Sequence, residues 1–321
     1  MRLVTYDDLQ PEWEASRAAT QLSAFGSFLP KTSIGAWRKQ GSLADYVGVF
    51  AVEREQVIGH AISVRLPYTY PDGTVHRISG VAMVGSRPDE SGRGIARRIL
   101  EEIHRRERRA GFDHITLWTN RSWGAHGIYE RLGYHDVFQS PFAVSPLIEA
   151  PARPRPPQVR PATPADLPVL DRLHGEATHG RWGFTPRPPN SLVDEHRIFH
   201  TDPKTNFLVA REGGRVTGFA RVNADKFRAI CRELVVTRPS AAKALIGAVE
   251  QKAPRASVAA FTLSSVRDQG EELRGRGYFF VPAGWYVLMA RPLRGEGGTK
   301  DVAHELGTDD PRWVVHAADQ F

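Results

Sequence analysis

Three groups of residues have the types and spacing that chemistry needs. The first is the loop Ser91-Gly92-Arg93-Gly94-Ile95-Ala96, between an apolar run (Val81 to Val84) and a helical pattern from Ile95 to Ala110. Two glycines at a helix start let the backbone approach an anion closely. The first-turn N–H groups and the positive end of the helix dipole then favour a phosphate or pyrophosphate. Arg93 and Arg97 add charge. The loop has neither the Gly-Lys-Ser/Thr ending of a P-loop nor the three-glycine spacing of a dinucleotide fingerprint.

The second group is His126 and Tyr129, three residues apart on a predicted short helix and so on one face of it. A phenol with an ordinary pKa of about 10 keeps its proton at pH 7 and suits donation to an anionic leaving group. A lone histidine at this spacing also serves as a cap or a packing residue. The third group is aromatic. Phe25, Phe28 and Trp123 are candidate walls of a pocket for an apolar or cationic group, whereas Trp118, on a predicted strand, belongs to the core.

These groups need elements to position them. The pattern predicts a strand at Leu3 to Tyr6, a helix at Pro11 to Leu22 and a second helix around Ser33 to Gln40. A hairpin at Tyr46–Glu53 and Val57–Leu66 follows, then a loop from Pro67 to Thr74 and the central strand, ending at Met83-Val84-Gly85-Ser86. After the Ile95 helix come a strand (His114 to Thr119) and the helix of Tyr129. Proline density at Ala150 to Pro157 removes backbone donors and predicts an extended linker.

Beyond the linker the same order recurs. Val159 to Leu167 reads as strand, Thr cap and helix start, and Phe207–Arg211 with Arg215–Val222 as a hairpin around Gly213-Gly214. Ala229 to Val236, Ala241 to Lys252 and Ser257 to Leu263 complete an internal repeat. Thr237-Arg238-Pro239-Ser240-Ala241 replaces the glycine loop and Leu273 stands where the first copy has Tyr129, so the second copy is read as structural.

Taken together, the first half resembles the GNAT superfamily of N-acyltransferases. That family's first motif, Arg/Gln-x-x-Gly-x-Gly/Ala, is matched by Ser91 to Ala96, with Ser91 in place of the leading Arg/Gln. Its second, Asn-x-x-Ala-x-x-x-Tyr-x-x-x-Gly-Phe/Tyr, is matched by Ala125, Tyr129, Gly133 and Tyr134, with Ser122 where Asn is usual. The resemblance implies an α/β (α+β) chain of two consecutive GNAT-like domains, each a mixed, mostly antiparallel twisted sheet flanked by helices. The expected division is 1–149 (acetyl-CoA-binding and catalytic), 150–158 (linker), 159–293 (degenerate copy) and 294–321 (tail).

It further implies acetyl-CoA as co-substrate, with no metal, held by Val84, Gly85, Ser86, Ser91, Gly92, Arg93, Gly94, Ile95, Ala96, Arg97 and Ser122. Tyr129 is the implied general acid, donating to the thiolate. The general base stays open. His76 to Val84 contains no carboxylate, and the choices are His76, His126, a carboxylate of the second copy, a water relay or the carboxylate at Phe321. The last follows the enhanced-intracellular-survival acetyltransferases, which some motif residues here resemble. The acceptor is an amine, on a small molecule or a peptide.

Other readings stay open. One is a CoA-sensing or scaffolding module without turnover. The others are a mycothiol-synthase-like acyltransferase, whose active site is thought to lie in the C-terminal copy, and a tRNA-dependent aminoacyl transferase, which needs no CoA loop.

Composition narrows the class. A chain of 321 residues has room for two ordinary domains. With 41% hydrophobic and 25% charged residues, it is globular rather than disordered. There is no membrane-length apolar run and no signal-peptide core near Met1, and the single cysteine, Cys231, cannot close an internal disulfide. Both point to the cytoplasm. The net charge of +7 is attributed to arginine-rich composition and a polyanionic co-substrate. No basic stripe alternates with aromatics, which makes a nucleic-acid partner the less favoured reading of this charge.

Overall fold

The computed structural model describes residues 1–26, 28, 46–146, 158–253, 257–282, 284, 286–295 and 298–316. The predicted helix at Ser33 to Gln40, the proline-rich stretch and Phe321 lie outside these residues.

The elements run β1 (Arg2–Thr5), α1 (Glu14–Phe25), β2 (Tyr46–Glu53), β3 (Gln56–Thr69), β4 (Val75–Ser86), α2 (Ile95–Arg109), β5 (His114–Asn120), α3 (Gly124–Arg131), β6 (His135–Gln139) and β7 (Phe142–Pro146). The second half continues with β8 (Gln158–Pro161), α4 (Leu167–Thr178), β9 (Trp182–Gly183), α5 (Ser191–Phe199), α6 (Pro203–Asn206), β10 (Phe207–Glu212), β11 (Arg215–Ala224) and β12 (Arg228–Val236). It closes with α7 (Pro239–Lys252), β13 (Val258–Thr262), α8 (Ser264–Asp268), α9 (Gly270–Gly275), β14 (Phe279–Val281), β15 (Tyr286–Pro292), α10 (Thr299–Leu306) and β16 (Trp313–Val314).

Helices cover both faces of the first sheet. Ile95, Ile99, Leu100 and Ile103 put an apolar stripe of α2 on one face, while its arginines and most of its glutamates face solvent. The approach is so close that a Cβ on Gly59 of β3 would sit 2.6 Å from the Ile95 side chain. On the other face α1 presses against β4, where a Cβ on Gly85 would lie 2.8 Å from Ala24. Glycine is required at both contacts.

The two sheets have the same plan, with one strand exchanged. The first runs β1-β2-β3-β4-β5-β15-β6 and the second β14-β7-β13-β12-β11-β10-β8. Each has one parallel pair on this path, β4 with β5 and β12 with β13. The slot beside β5 is filled by β15 from the second half, and the matching slot beside β13 by β7 from the first. The proline-rich stretch therefore divides the course of the chain but not the sheets. Periodicity could not show this, because a buried strand reads alike whichever sheet receives it. β15 pairs along its whole length with β5, from Tyr286 opposite Asn120 to Pro292 opposite His114, and with β6 on its other side. Val287, Leu288, Met289 and Ala290 are fully buried.

A separate apolar cluster joins the halves. Tyr68 Oη donates to the Leu306 carbonyl (2.5 Å) and accepts from Trp313 Nε1 (2.7 Å), with Trp182 and Phe184 packed alongside. These contacts explain two differences from the sequence reading. The expected loop at Pro67 to Thr74 is shorter, because burial of Tyr68 and Ile78 extends the β3–β4 hairpin. In the tail the pattern offers only a short strand or docked segment at Trp313 to His316; the chain there forms α10 and then β16, at Trp313–Val314, against β9.

Candidate active site

β4 and β5 pair only from Ser79–Ile115 to Val81–Leu117 and then part. At that point β4 shifts its register on β3, and Met83 takes a positive φ of 52°. This is an unusual conformation for a residue with a Cβ. Gly85 and Ser86 still pair with β3, through His60 and Gly59. On their other side Val84, Gly85 and Ser86 have no β5 partner, so their backbone groups face the opening between the strands.

The opening leads to the start of α2. Gly92 (φ 78°) and Gly94 (φ 71°) are left-handed, and a Cβ at either would meet no atom within 4 Å. No acidic residue occupies the first turn of α2. A cleft of about 570 Å³ is lined here by Ser86, by the loop from Glu90 to Gly94 with Ile95, Ala96 and Arg97, and by Ile128 and Arg131 of α3 with Leu132 just after it; the Glu90 carboxylate is paired with Arg93. Open left-handed glycines, unpaired first-turn N–H groups and the dipole fit a pyrophosphate.

The arginines are arranged differently from expectation. Arg93 is held by Glu53 (3.0 Å to each carboxylate oxygen) and by Glu90, and this pairing holds the Glu53 carboxyl down to about 2. Arg97, largely exposed, bonds Glu101 at 2.8 Å. Arg131 lines the cleft and makes no ion pair with any described residue. Sequence reading passed over it, although Ile128, Arg131 and Leu132 share one helical face. We expect Arg131→Ala to weaken acetyl-CoA binding about tenfold, as loss of one charge-assisted contact does. Calorimetric titration checks this, and an unchanged affinity would remove Arg131 from the cradle.

Around the opening, Ser122 donates from its backbone N and its hydroxyl to Asn120 Oδ1 (2.9 and 2.7 Å), so its side chain is committed to the turn before α3. The Tyr129 ring is buried edge-on to Tyr134 (centroids 5.9 Å), and burial pushes its phenol up to about 12. Its hydroxyl has no hydrogen-bond partner among the described residues. His126 is bracketed by carboxylates, Nε2 to Asp136 at 3.0 Å and Nδ1 to Glu130 at 3.5 Å, which ties α3 to β6. Both ring nitrogens are thus turned to acceptors.

The aromatics form two separate pairs. Phe25 touches the Gly85 backbone position and stands edge-on to His60, a fully buried β3 residue whose imidazole burial pushes down to about 4. Trp123 stands edge-on to Tyr286 at 6.2 Å, both half-exposed. Tyr286 comes from β15, so no reading confined to the first half could find it. Phe28 is half-exposed, and Trp118 packs edge-on to Phe138.

The equivalent opening in the second sheet is closed. Beyond Cys231–Phe261, where β12 and β13 part, the Leu234 N–H donates to Ser265 Oγ (3.0 Å), and Ser264 exchanges hydrogen bonds with the Val315 backbone. Beside it lies a buried polar cluster. His174 faces the Glu233 carboxylate through Nδ1 and the Thr185 carbonyl through Nε2, both at 3.0 Å. Burial would raise the Glu233 carboxyl, but Arg187, 2.9 Å away, and His174 hold it well below its usual range. His316 completes a grouping of donor atoms that could hold a metal ion. His174 and Arg187 both face Glu233 Oε1, while Oε2 is buried with no hydrogen-bond partner among the described residues.

Comparison with known proteins agrees with this architecture. The family model described as an acetyltransferase (GNAT) domain matches residues 7–137. An uncharacterized N-acetyltransferase of Streptomyces coelicolor is 29% identical over 205 residues, 59% of this chain and 44% of that protein. The chain thus spans less than half the length of that curated relative. Among solved structures, a GCN5-related N-acetyltransferase from Kribbella flavida superposes with a TM-score of 0.62 at 20% identity, covering 91% of this chain and 71% of the other. Eis1 from Mycobacterium abscessus gives 0.57 at 19%, covering 91% and 74%. At these identities the likeness is one of fold. The likeness to GNAT acetyltransferase domains lies over residues 7–137. Among the described residues no helix is long and apolar enough to cross a membrane.

Proposed function

We propose that the protein transfers an acetyl group from acetyl-CoA to a primary amine by direct attack in a ternary complex. The observation that carries this reading is the joining of two features: the parted β4–β5 pair opens onto the left-handed glycine loop, with Tyr129 on the helix beside them. Bound acetyl-CoA supplies an activated acetyl carbonyl and a thiolate leaving group.

The chain's residues do the rest. Backbone N–H groups of the Gly94–Arg97 turn hold the pyrophosphate, with Arg131 and Arg97 at the cleft wall. Free β4 backbone at Val84 to Ser86 aligns the acyl arm and polarises its carbonyl. Tyr129 holds the proton that the leaving sulfur takes. The half-exposed pair Trp123 and Tyr286 offers an aromatic wall for the acceptor, and water takes the proton of the attacking amine. We assign His126 to seating α3, on the strength of its two carboxylate partners. The second sheet, with its opening closed, supports the first.

The test is steady-state release of free thiol with an amine panel, alongside acetyl-CoA titration. Tyr129→Phe should lower kcat about 10²-fold, the lower end of general-acid contributions, and leave the acetyl-CoA Kd within about twofold. A phenol raised to about 12 stays protonated well past neutrality. Wild-type kcat should therefore show no alkaline loss below about pH 10 that disappears in Tyr129→Phe. Acetyl-CoA binding without thiol release from any amine would favour a CoA-sensing module instead.

A further inference from the structure

A polar chain crosses the apolar layer between α2 and the first sheet, and nothing assigned so far uses it. Arg291, on β15, points its guanidinium at His104 Nδ1 (2.8 Å), and His104 Nε2 lies 2.8 Å from Tyr134 Oη. Guanidinium only donates, so Nδ1 is the acceptor and Nε2 carries the hydrogen. Burial, reinforced by Arg291, pushes His104 down to about 3 and keeps the ring neutral, as this tautomer requires. Tyr134 Oη therefore accepts from His104, and its ring, fully buried, is the surface on which Tyr129 stands edge-on (5.9 Å, 63°). Arg291 makes no ion pair with any described residue. Its Nε lies 3.7 Å from where a Cβ on Gly133, the residue before Tyr134, would be.

A half-buried guanidinium whose hydrogen-bond partner is a neutral imidazole, with Arg108 and Glu101 acting on it from α2 in opposite senses, is costly as a purely structural device, since Leu or Met would fill the volume without desolvating a charge. Its effect is directional. The fixed tautomer locks the Tyr134 ring, and positive charge at the end of the chain favours negative charge at the phenol end. The Tyr129 ring packs edge-on against the ring so locked.

We propose that Arg291, delivered by the strand exchanged from the second half, is a positioning residue for Tyr129, acting through His104 and Tyr134. Together they fix the ring of the acid. This rests on the reading of Tyr129 as the acid. It makes the active site composite, because residues before the proline-rich stretch supply the acid and β15 supplies the residue that positions it.

The test uses the full-length chain and measures kcat, acetyl-CoA Kd and thermal unfolding for Arg291→Met, Arg291→Lys and His104→Gln, each alone and combined with Tyr129→Phe. His104→Gln keeps a donor for Tyr134 and breaks the link to Arg291, giving a second route should Arg291→Met fail to fold. We expect kcat to fall about tenfold in Arg291→Met and His104→Gln, with Kd within about twofold, and Lys to recover part of the loss. On the Tyr129→Phe background neither change should lower kcat further, because there is no phenol left to position. An equal further drop there, or an unchanged kcat in the folded single variants, overturns the proposal while leaving Tyr129 as the acid. An unchanged kcat in Tyr129→Phe alone overturns the acid assignment and this inference with it.

Discussion

A chain ending at residue 149 should fail to form the first sheet, although it holds every residue of the acetyltransferase motifs. Among the described residues β6 pairs only with β15 in the sheet, and β5 keeps just three residues of ladder, with β4, once β15 is removed. Truncation also removes Val287, Leu288 and Met289 from the core, at about 1.5–3 kcal/mol each. That sum is comparable with the whole stability of an ordinary domain. We expect broad, non-cooperative thermal unfolding and no acetyl-CoA binding from the truncated chain.

A repair follows from the register. Gln139 of β6 lies opposite Val287, and the Ser140 N–H already donates to the Tyr286 carbonyl (3.0 Å). Replacing residues 142–146 of the truncated chain with the sequence of 286–292 should close a β6–β15 hairpin in one half and restore a cooperative transition. A sharp transition and normal acetyl-CoA affinity from the unrepaired chain would show that the exchanged strand is dispensable.

The second large effect concerns Gly94, whose φ is 71°. That conformation costs a residue with a Cβ about 1–2 kcal/mol, and a β-branched side chain more. The same side chain would stand where the cleft wall must let phosphate reach the backbone. With no protein atom within 4 Å of its Cβ, Gly94→Val creates no clash in the free protein, so folding should suffer only the backbone strain. Binding should suffer both, and we expect the acetyl-CoA Kd to rise at least about 10²-fold, worth roughly 3 kcal/mol. Melting temperature should fall by only a few degrees for a chain of this size. Calorimetry beside circular dichroism separates the two. An affinity near wild type would place the pyrophosphate elsewhere, and the acetyl-transfer reading would lose its main support.

These experiments bear on how much the sequence disclosed. The glycine loop, the helix it opens and the Tyr129 helix were legible, because each depends on neighbours within a few residues. The arginines were not. Arg93 has the right type and position for a phosphate contact, yet Glu53, forty residues earlier, claims it, and only the β2 hairpin brings that glutamate there. Arg131 was invisible for the converse reason, since its value lies in having no such partner. The sheet that receives Val287 to Ala290 is a tertiary choice that alternation cannot encode. In the tail the short strand at Trp313–Val314 was legible from its apolar run, but its helix was not, being held by tertiary contacts through Tyr68 and Trp182 rather than by a pattern of its own.

The reciprocal strands also set a timetable for synthesis. The slot beside β5 stays open until Pro292 has been made. That comes about 150 residues after β6, a delay on the order of ten seconds at ordinary elongation rates. During that interval the nascent first half presents two unsatisfied strand edges and a stripe of core to whatever is near. Pairing across so long a stretch of chain is slow. Yield in the cell should therefore depend on what shelters the growing chain, and codon changes that slow translation between residues 147 and 292 should send more of it into aggregates while leaving the finished protein's stability untouched.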